Sequence, residues 1–201
     1  MNPSPVFAIS PIDGRYHHIT APLCDFFSEY ALMKYRVMLE VEYFIALCEI
    51  PLPQLKAIAS DKYPVMRKFY IEFSDVDAQR IKEIEKTTNH DIKAVEYFLR
   101  EKFNDAGLAA YMSFIHFGLT SQDINNTAIP YSMRDAINKI YYPAVNEVII
   151  KINELSKKWW KIPMLAHTHG QPASPTRVGK ELMVFSERMD KQLGLLKELK
   201  F

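Results

Sequence analysis

The sequence predicts an all-α protein, in which a small helical N-terminal domain precedes the beginning of a long-helix bundle. Apolar residues recur every three to four positions over long stretches, which is the spacing of one buried helix face. No stretch of strand length alternates apolar and polar residues beside a hairpin turn such as Asn-Gly, and only six residues are glycine. These features favour helices over sheets throughout.

The first long helix is predicted from apolar residues that run at this spacing from Phe26 to Cys48, and Cys24 is expected in the same helix. Pro51 and Pro53 should end it, because proline cannot continue the helical hydrogen bonding. At about 1.5 Å per residue the two cysteines would lie roughly 36 Å apart, too far for a disulfide. We therefore expect reduced, buried thiols, as in cytosolic proteins.

A second helix is predicted to begin at Ser74, whose hydroxyl can form a capping box with Asp77 three residues later. Its apolar residues Val76, Ile81 and Ile84 are expected to face the core, and Thr87-Thr88-Asn89 is its polar end.

A third helix is predicted to begin near Asp91, a residue type that favours the N-cap position. Gly107 should end this helix, since glycine readily takes the left-handed conformation found after helix ends. Its expected buried residues are Ile92, Val95, Phe98, Leu99 and Phe103.

A further helix is signalled by Thr120 or Ser121 as its cap and by Asp123 in its first turn. Pro130 should kink this helix, and Pro143 lies at a favourable start for another long one. A loop is then expected over residues 164–175.

Thr176 could cap a last helix, which reaches Phe201 without a terminating Gly, Asn or Pro, so we expect that helix to be cut short. A change in composition near Gly107 suggests two domains. The first is expected over residues 1–108, and residues 109–201 would form the first part of the bundle.

Charge and composition exclude several classes of partner. The chain has 25 basic and 24 acidic residues in interspersed positions, so it lacks the basic face expected of a nucleic-acid-binding protein. No apolar run approaches the roughly 18 residues of a membrane span. The first residues also lack the pattern of a signal peptide, and a cytoplasmic location is expected.

Four polar clusters interrupt the apolar pattern, each in a predicted loop or at a helix start. Helix N-termini present unpaired N–H groups and partial positive charge, so these clusters favour a small anionic ligand. The clusters are Asp13-Gly14-Arg15-Tyr16, Thr88-Asn89-His90-Asp91, Thr120-Ser121-Gln122-Asp123 and His167-Thr168-His169-Gly170-Gln171-Pro172.

Each cluster also has a purely structural interpretation as a helix cap or a solvated turn. His167 and His169 are two residues apart and would point to opposite sides of an extended segment, so no shared metal site is expected. A general acid or base role for one of them stays open, because histidine changes charge near neutral pH. From these residues alone we infer a helical protein with an anion site.

At the same clusters the sequence resembles the adenylosuccinate lyases of the aspartase/fumarase superfamily, in their bacterial purine-biosynthesis form. Thr-His-Gly-Gln-Pro is typical of the superfamily, and Thr-Thr-Asn-His-Asp together with Asp-Gly-Arg-Tyr is typical of this lyase. The resemblance covers nearly the whole chain and is carried by the segments at residues 10–16, 27–30, 85–99, 120–126 and 168–173.

The resemblance implies a β-elimination that releases fumarate from adenylosuccinate, giving AMP, and from succinylaminoimidazole carboxamide ribotide, giving AICAR. It implies no cofactor and a homotetramer whose active sites draw on several subunits. The implied binding residues are Arg15 and Tyr16 for the phosphate, Asn89, His90 and Asp91 for the nucleotide, and Thr120 and Ser121 for the succinyl carboxylates. His169 would protonate the departing nitrogen.

The resemblance also implies a catalytic base, a serine on a mobile loop rich in Ser, Met-Pro, Lys and Asn. The sequence contains no such loop, and chains of the family are more than twice as long. We therefore expect the 201-residue chain to be inactive by itself. Its helices over 121–160 and 176–201 are expected to self-associate or to bind the missing part of the enzyme. Two alternatives stay open: another superfamily lyase, such as argininosuccinate lyase or fumarase, and a non-catalytic helical interaction module.

Overall fold

The computed structural model of the chain describes residues 5–50 and 52–199. The fold is helical, as predicted, apart from one two-stranded hairpin among the described residues. The elements are α1 His17–Thr20, α2 Cys24–Phe27, α3 Glu29–Glu49, α4 Tyr63–Ile71, α5 Asp75–Thr88, α6 Asp91–Asp105, α7 Ser121–Ala136, α8 Tyr142–Lys158, β1 Pro163–Thr168, β2 Gln171–Arg177 and α9 Val178–Glu198. Short 3₁₀ turns occupy Pro5–Phe7, Ala21–Leu23, Ser60–Lys62 and Ala109–Phe114, and Ile137–Tyr141 is π-helical.

The predicted first helix is interrupted at Ser28, which has an extended backbone between α2 and α3. The Ser28 hydroxyl accepts the N–H of Ala31 at 3.1 Å and so caps α3. Cys24 therefore lies at the start of a separate short helix and is exposed, so its predicted burial was wrong, whereas Cys48 is half-buried. Helix α3 ends before the predicted prolines, of which Pro51 lies outside the described residues.

The capping box predicted for α5 is present. Ser74 accepts the Asp77 N–H, and its own N–H donates to the Asp77 carboxylate at 2.9 Å. Ile81 is buried as expected, but Val76 is 74% exposed, because the first turn of α5 faces solvent on that side. The helix ends at Asn89, which has a left-handed backbone.

The main hydrophobic core lies between α3, α4, α5 and α6. All five residues predicted to be buried in α6 are at most 2% exposed. Phe44 of α3 meets Phe103 of α6 edge to face, with ring centroids 4.8 Å apart. Gly107 has φ +71° after the end of α6, where the sequence predicted a helix terminator. Helix α4 was not predicted, but its Met66 is fully buried in this core.

The chain divides into two compact units, Met1–Asp135 and Ala136–Phe201. The domain boundary expected at residues 108 and 109 stays a prediction. In the second unit α8 packs against α9, with Ile149 and Leu193 buried. The Ser156 hydroxyl donates to the carbonyl of Gly179 at 2.6 Å, which joins the two helices at a close approach.

The segment predicted as a loop over 164–175 is an antiparallel hairpin, in which Thr168 pairs with Gln171. His169 and Gly170 form its two-residue turn with φ of 51° and 73°. Positive φ at both positions is the geometry of the type I′ turn, whose twist matches paired strands. The prediction missed the hairpin for two reasons. The turn has a histidine where asparagine is usual, and the segment contains three prolines, which argue against a strand.

The N-cap of α9 lies one residue after Thr176, which the sequence predicted as the cap. Arg177 occupies the N-cap position, and Thr176, still in β2, donates its hydroxyl to Glu181 at 2.6 Å. Phe201, where the sequence suggested a cut helix, lies outside the described residues. Among the helices that the structure describes, none is both long and apolar enough to cross a membrane.

Candidate functional site

The start of α6 is built on His90, which is its N-cap, in place of the predicted Asp91. The His90 Nδ1 atom accepts the backbone N–H of Lys93 at 3.2 Å. An acceptor nitrogen carries no proton, so in this cap the ring proton is on Nε2. The preceding Asn89 turns the chain between α5 and α6 through its left-handed backbone. The histidine is thus held rigidly with its Nε2–H as a donor.

Asp91 is the first residue of α6, and both of its carboxylate oxygens have partners. Oδ1 accepts the N–H of Ile92 at 2.8 Å, and Oδ2 accepts a guanidinium N–H of Arg36 at 2.7 Å. Desolvation acts to raise the pKa of Asp91, but the Ile92 N–H and Arg36 outweigh it and lower that pKa. Asp91 is therefore a firmly ionised carboxylate at neutral pH.

The start of α7 is organised around Asp123. Its carboxylate accepts the backbone N–H of Thr120 at 2.7 Å and the Thr120 hydroxyl at 2.8 Å. These bonds lower the pKa of Asp123, the backbone N–H having the largest effect. Because both donors of Thr120 are engaged, an anionic ligand would have to displace Asp123 to bind them. Ser121 has no such engagement with Asp123.

The two helix starts meet at His90 and Ser121, whose Nε2 and Oγ atoms are 3.5 Å apart. Beneath this contact Arg36 donates its Nε–H to the side-chain oxygen of Asn125 at 3.0 Å. The same guanidinium holds Asp91, so one buried side chain of α3 links α6 with α7. The structure thus brings together two clusters that are about thirty residues apart in the sequence.

A second buried polar contact joins α3 to the segment before α7. Glu40, only 1% exposed, lies 2.5 Å from Nδ1 of His116. Burial raises the pKa of Glu40, and the contact with His116 acts in the opposite direction. The imidazole also lowers the pKa of Asp123, and His116 has a left-handed backbone with φ 58°.

Sequence reasoning missed Arg36, Glu40 and His116. The available signal was in α3, where Arg36 and Glu40 occupy the same stripe as the buried residues Val37 and Val41. Charged residues are almost never fully buried unless they are paired, so their position in an apolar stripe indicates a structural or functional partner. The partners themselves lie at least 55 residues away and could not be identified from spacing.

Arg15 and Tyr16 lie in the exposed turn that precedes α1. The Arg15 guanidinium is 5.5 Å from the centre of the Tyr16 ring. Within the described part of the chain, no hydrogen bond or ion pair joins this turn to His90 or Ser121. The predicted phosphate-binding role of the pair therefore stays a prediction.

His169 belongs to the second compact unit and is exposed at the tip of the hairpin. Its backbone is in the left-handed region, which places the ring beside a glycine in a two-residue turn. The tight turn fixes the position of the side chain relative to the two strands. Its proposed chemistry depends on this exposure, because a proton donor must be reachable by substrate.

The described residues contain no group of three or more His, Cys, Asp or Glu side chains able to hold a metal ion. The arrangement in the first unit instead offers hydrogen-bond donors at two helix N-termini, together with the exposed His90. Such a site can bind an anion and transfer protons.

Solved structures show to which class of fold the chain belongs. A fumarate lyase from Mesorhizobium sp. BNC1 matches 89% of this chain with a TM-score of 0.70 at 22% identity, over 39% of its own length. The β-carboxy-cis,cis-muconate cycloisomerase of Acinetobacter calcoaceticus matches 87% of this chain with a TM-score of 0.63, also over 39% of its length. At this identity the similarity shows a shared fold.

Sequence similarity identifies the family of the chain within this class of fold. A family model described as lyase matches residues 14–200, and the chain belongs to this lyase family. The adenylosuccinate lyase of Dictyostelium discoideum is 52% identical over 95% of this chain, and that of Escherichia coli K12 is 40% identical over 99%. The chain spans 42% and 44% of the lengths of these two relatives.

Proposed function

We propose that the chain contributes the substrate-binding and proton-donating part of an adenylosuccinate lyase. The observation that carries the proposal is the meeting of His90 and Ser121 at two adjoining helix N-termini. Both residues lie in the segments by which the sequence resembles this enzyme. The identity to the Dictyostelium and Escherichia coli adenylosuccinate lyases supports the same reaction.

The proposed substrates are polyanions, and the geometry suits them. Ser121 would bind a succinyl carboxylate near the start of α7, where the helix dipole favours negative charge. Thr120 would join it once its donors leave Asp123. His90, which lies beside Ser121, would line the nucleotide site with Asn89 and Asp91, and Arg15 with Tyr16 would bind the phosphate.

In the proposed elimination, a base removes a proton from the succinyl carbon next to a carboxylate, and the electron pair forms the carbon–carbon double bond of fumarate. The carbon–nitrogen bond breaks, and the departing nitrogen takes a proton from His169 to give AMP. The same step on succinylaminoimidazole carboxamide ribotide gives AICAR. The base is proposed to be a serine outside these 201 residues, so the chain alone should be catalytically inactive.

The proposal is tested by a chimaera in which this chain replaces the matching part of the Dictyostelium discoideum adenylosuccinate lyase. We expect the chimaera to release fumarate from adenylosuccinate, while the 201-residue chain alone releases none. A chimaera that folds and assembles like its parent but shows no lyase activity would contradict the proposal. Fumarate release by the isolated chain would contradict the assignment of the base to another segment.

A melting experiment distinguishes the proposal from the two alternatives. A ligand that binds only the folded state raises its stability by about 2.7 kcal/mol at a hundredfold excess over Kd. AMP should stabilise the chimaera if it is this lyase, whereas an argininosuccinate lyase or fumarase would respond to fumarate alone. A non-catalytic helical module would respond to neither ligand.

The assembly and location of the protein belong to the same proposal. In the proposed full-length enzyme, a homotetramer would bring residues of several subunits to each active site. A cytoplasmic location fits an enzyme of nucleotide synthesis, and neither nucleic acid nor membrane is a proposed partner. Light scattering of the chimaera reports the tetramer directly.

A further inference from the structure

Arg36 lies at the middle of α3 and is only 7% exposed. A buried guanidinium is costly to desolvate, so its hydrogen bonds have to compensate for the lost water. Its Nη2 atom donates to Asp91 at 2.7 Å and its Nε atom donates to Asn125 at 3.0 Å. These acceptors lie near the starts of two different helices: Asp91 is the first residue of α6 and Asn125 is the fifth of α7.

From this geometry we infer that Arg36 is a positioning residue, which holds the starts of α6 and α7 together so that His90 and Ser121 face one ligand. The inference rests on the proposed function, because the ligand of that pair is the proposed substrate. Arg36 itself is buried beneath the pair and acts through Asp91 and Asn125.

The contact of Arg36 with Asp91 also supports the His90 cap. The Oδ1 atom of Asp91 lies 3.6 Å from the His90 Nδ1 atom, and Arg36 holds the other carboxylate oxygen of Asp91. Without Arg36, Asp91 would lose the bond that ties the start of α6 to α3. Because His90 caps the same turn through the N–H of Lys93, the position of its ring would change with that of Asp91.

Lysine cannot replace arginine in this role. The planar guanidinium presents its donors in a fixed fork, and here two of them reach acceptors on separate helices. A lysine ammonium would keep a positive charge near Asp91 but would not span both contacts. Asn125→Ala removes only the α7 half of the bridge, so each half can be tested alone.

The primary test is nuclear magnetic resonance of the ¹⁵N-labelled chain, with the His90 ring nitrogens as the readout. In the parent we expect the pattern of a ring protonated on Nε2 only. Arg36→Met should shift the signals of both ring nitrogens, because α3 no longer holds the start of α6. Asn125→Ala should shift the Nε2 signal and leave the Nδ1 signal in place. These ring signals separate positioning from a general loss of stability.

Arg80→Met is the matched control. Arg80 also donates two N–H groups to one carboxylate, that of Glu101, but it lies on the exposed side of α5. It should leave the His90 signals unchanged. Unchanged His90 signals in folded Arg36→Met, or in Asn125→Ala should Arg36→Met not fold, would overturn the inference.

A second readout connects the inference with the reaction. Misplacement of a group by about 1 Å can lower a rate roughly 100-fold, so Arg36→Met in the chimaera should lower kcat/KM by about that factor. Arg80→Met should leave kcat/KM within about twofold, as expected for surface changes of small effect. If the parent chimaera is inactive, the proposed function fails, while the ring signals of His90 still decide the role of Arg36.

Discussion

Three non-glycine residues of the described chain have a left-handed backbone: Asn89, His116 and His169. Two of them lie in polar clusters singled out by the sequence, and the third contacts the buried Glu40. This conformation costs a non-glycine residue roughly 1–2 kcal/mol, so the surrounding structure has to hold these three residues in place.

The chemistry of His169 can be separated from its role in the turn. His169→Asn removes the proton donor, while asparagine readily adopts the left-handed conformation of a type I′ turn. In the chimaera we expect kcat to fall by a factor of about 10² to 10⁴, the usual contribution of general acid catalysis. The measurement is steady-state fumarate release together with a melting curve.

Gly170→Ala provides the complementary control for the same turn. No neighbouring atom lies within 4 Å of the added Cβ, but φ at this position is +73°. We expect a loss of about 1 kcal/mol of stability from backbone strain. Full activity of His169→Asn in the chimaera would contradict the proposal that His169 protonates the departing nitrogen.

Asp91 should make stability depend on pH in the acid range. Its pKa in the folded chain is below the ordinary value of 3.8, so its ion pair stabilises the fold above that value. This contribution is lost as the pH falls through the folded-state pKa. Asp91→Asn should therefore destabilise the chain more at pH 7 than at pH 3, as measured by urea unfolding.

Asp61→Asn is a suitable control for this pH dependence, because Asp61 is an exposed residue of a short 3₁₀ turn. Its effect should be small at both pH values. An Asp91→Asn variant whose destabilisation stays constant from pH 7 to pH 3 would show that the ion pair with Arg36 does not stabilise the fold.

At the scale of helices and strands, periodicity predicted the buried face of α6 but not the exposure of Val76 or the boundaries of the first helix. The five predicted core residues of α6 are all buried, because one face of a regular helix must pack against the core. The break at Ser28 was missed, because the apolar pattern continues across it and only the backbone reveals the cap. The hairpin was missed because its turn uses histidine.

Helices α8 and α9 approach each other closely at Gly179. The substitution Gly179→Ala, which adds one methyl group, tests this contact. A Cβ there would lie 2.3 Å from the Ser156 carbonyl oxygen and 2.7 Å from the Trp160 Cα. Since both atoms belong to the backbone, the helices would have to separate. We expect Gly179→Ala to destabilise the second unit by about 1–3 kcal/mol, measured by chemical unfolding.

Gly194→Ala is the matched control in the same helix, because nothing lies within 4 Å of the added Cβ. Alanine is the better helix former, so this variant should gain up to about 1 kcal/mol. Equal effects of the two substitutions would mean that α8 and α9 do not pack closely at Gly179.

At the scale of the whole molecule, the second unit exposes many large apolar side chains. Exposed apolar side chains favour association where they lie together on one surface. The exposed residues include Val148, Ile150, Trp160, Ile162, Met164, Leu165, Phe185, Leu195 and Leu199. We therefore expect the isolated chain to self-associate, as measured by light scattering over a range of concentrations.

Phe185→Lys should weaken this association, because it places a charge on an exposed apolar surface of α9. Phe7→Lys is the control, as Phe7 is an exposed residue of the first unit. A parent chain that stays monomeric at high concentration would contradict the expectation.

The sequence alone determined the helical class, the capping box at Ser74, and the motifs that resemble this lyase family. These are local properties, since a cap or an amphipathic face depends on residues within a few turns. The tertiary structure alone decided that Arg36 joins Asp91 to Asn125 and that His90 meets Ser121. Those contacts join residues 31 to 89 positions apart, and only the packing of α3, α6 and α7 brings them within hydrogen-bonding distance.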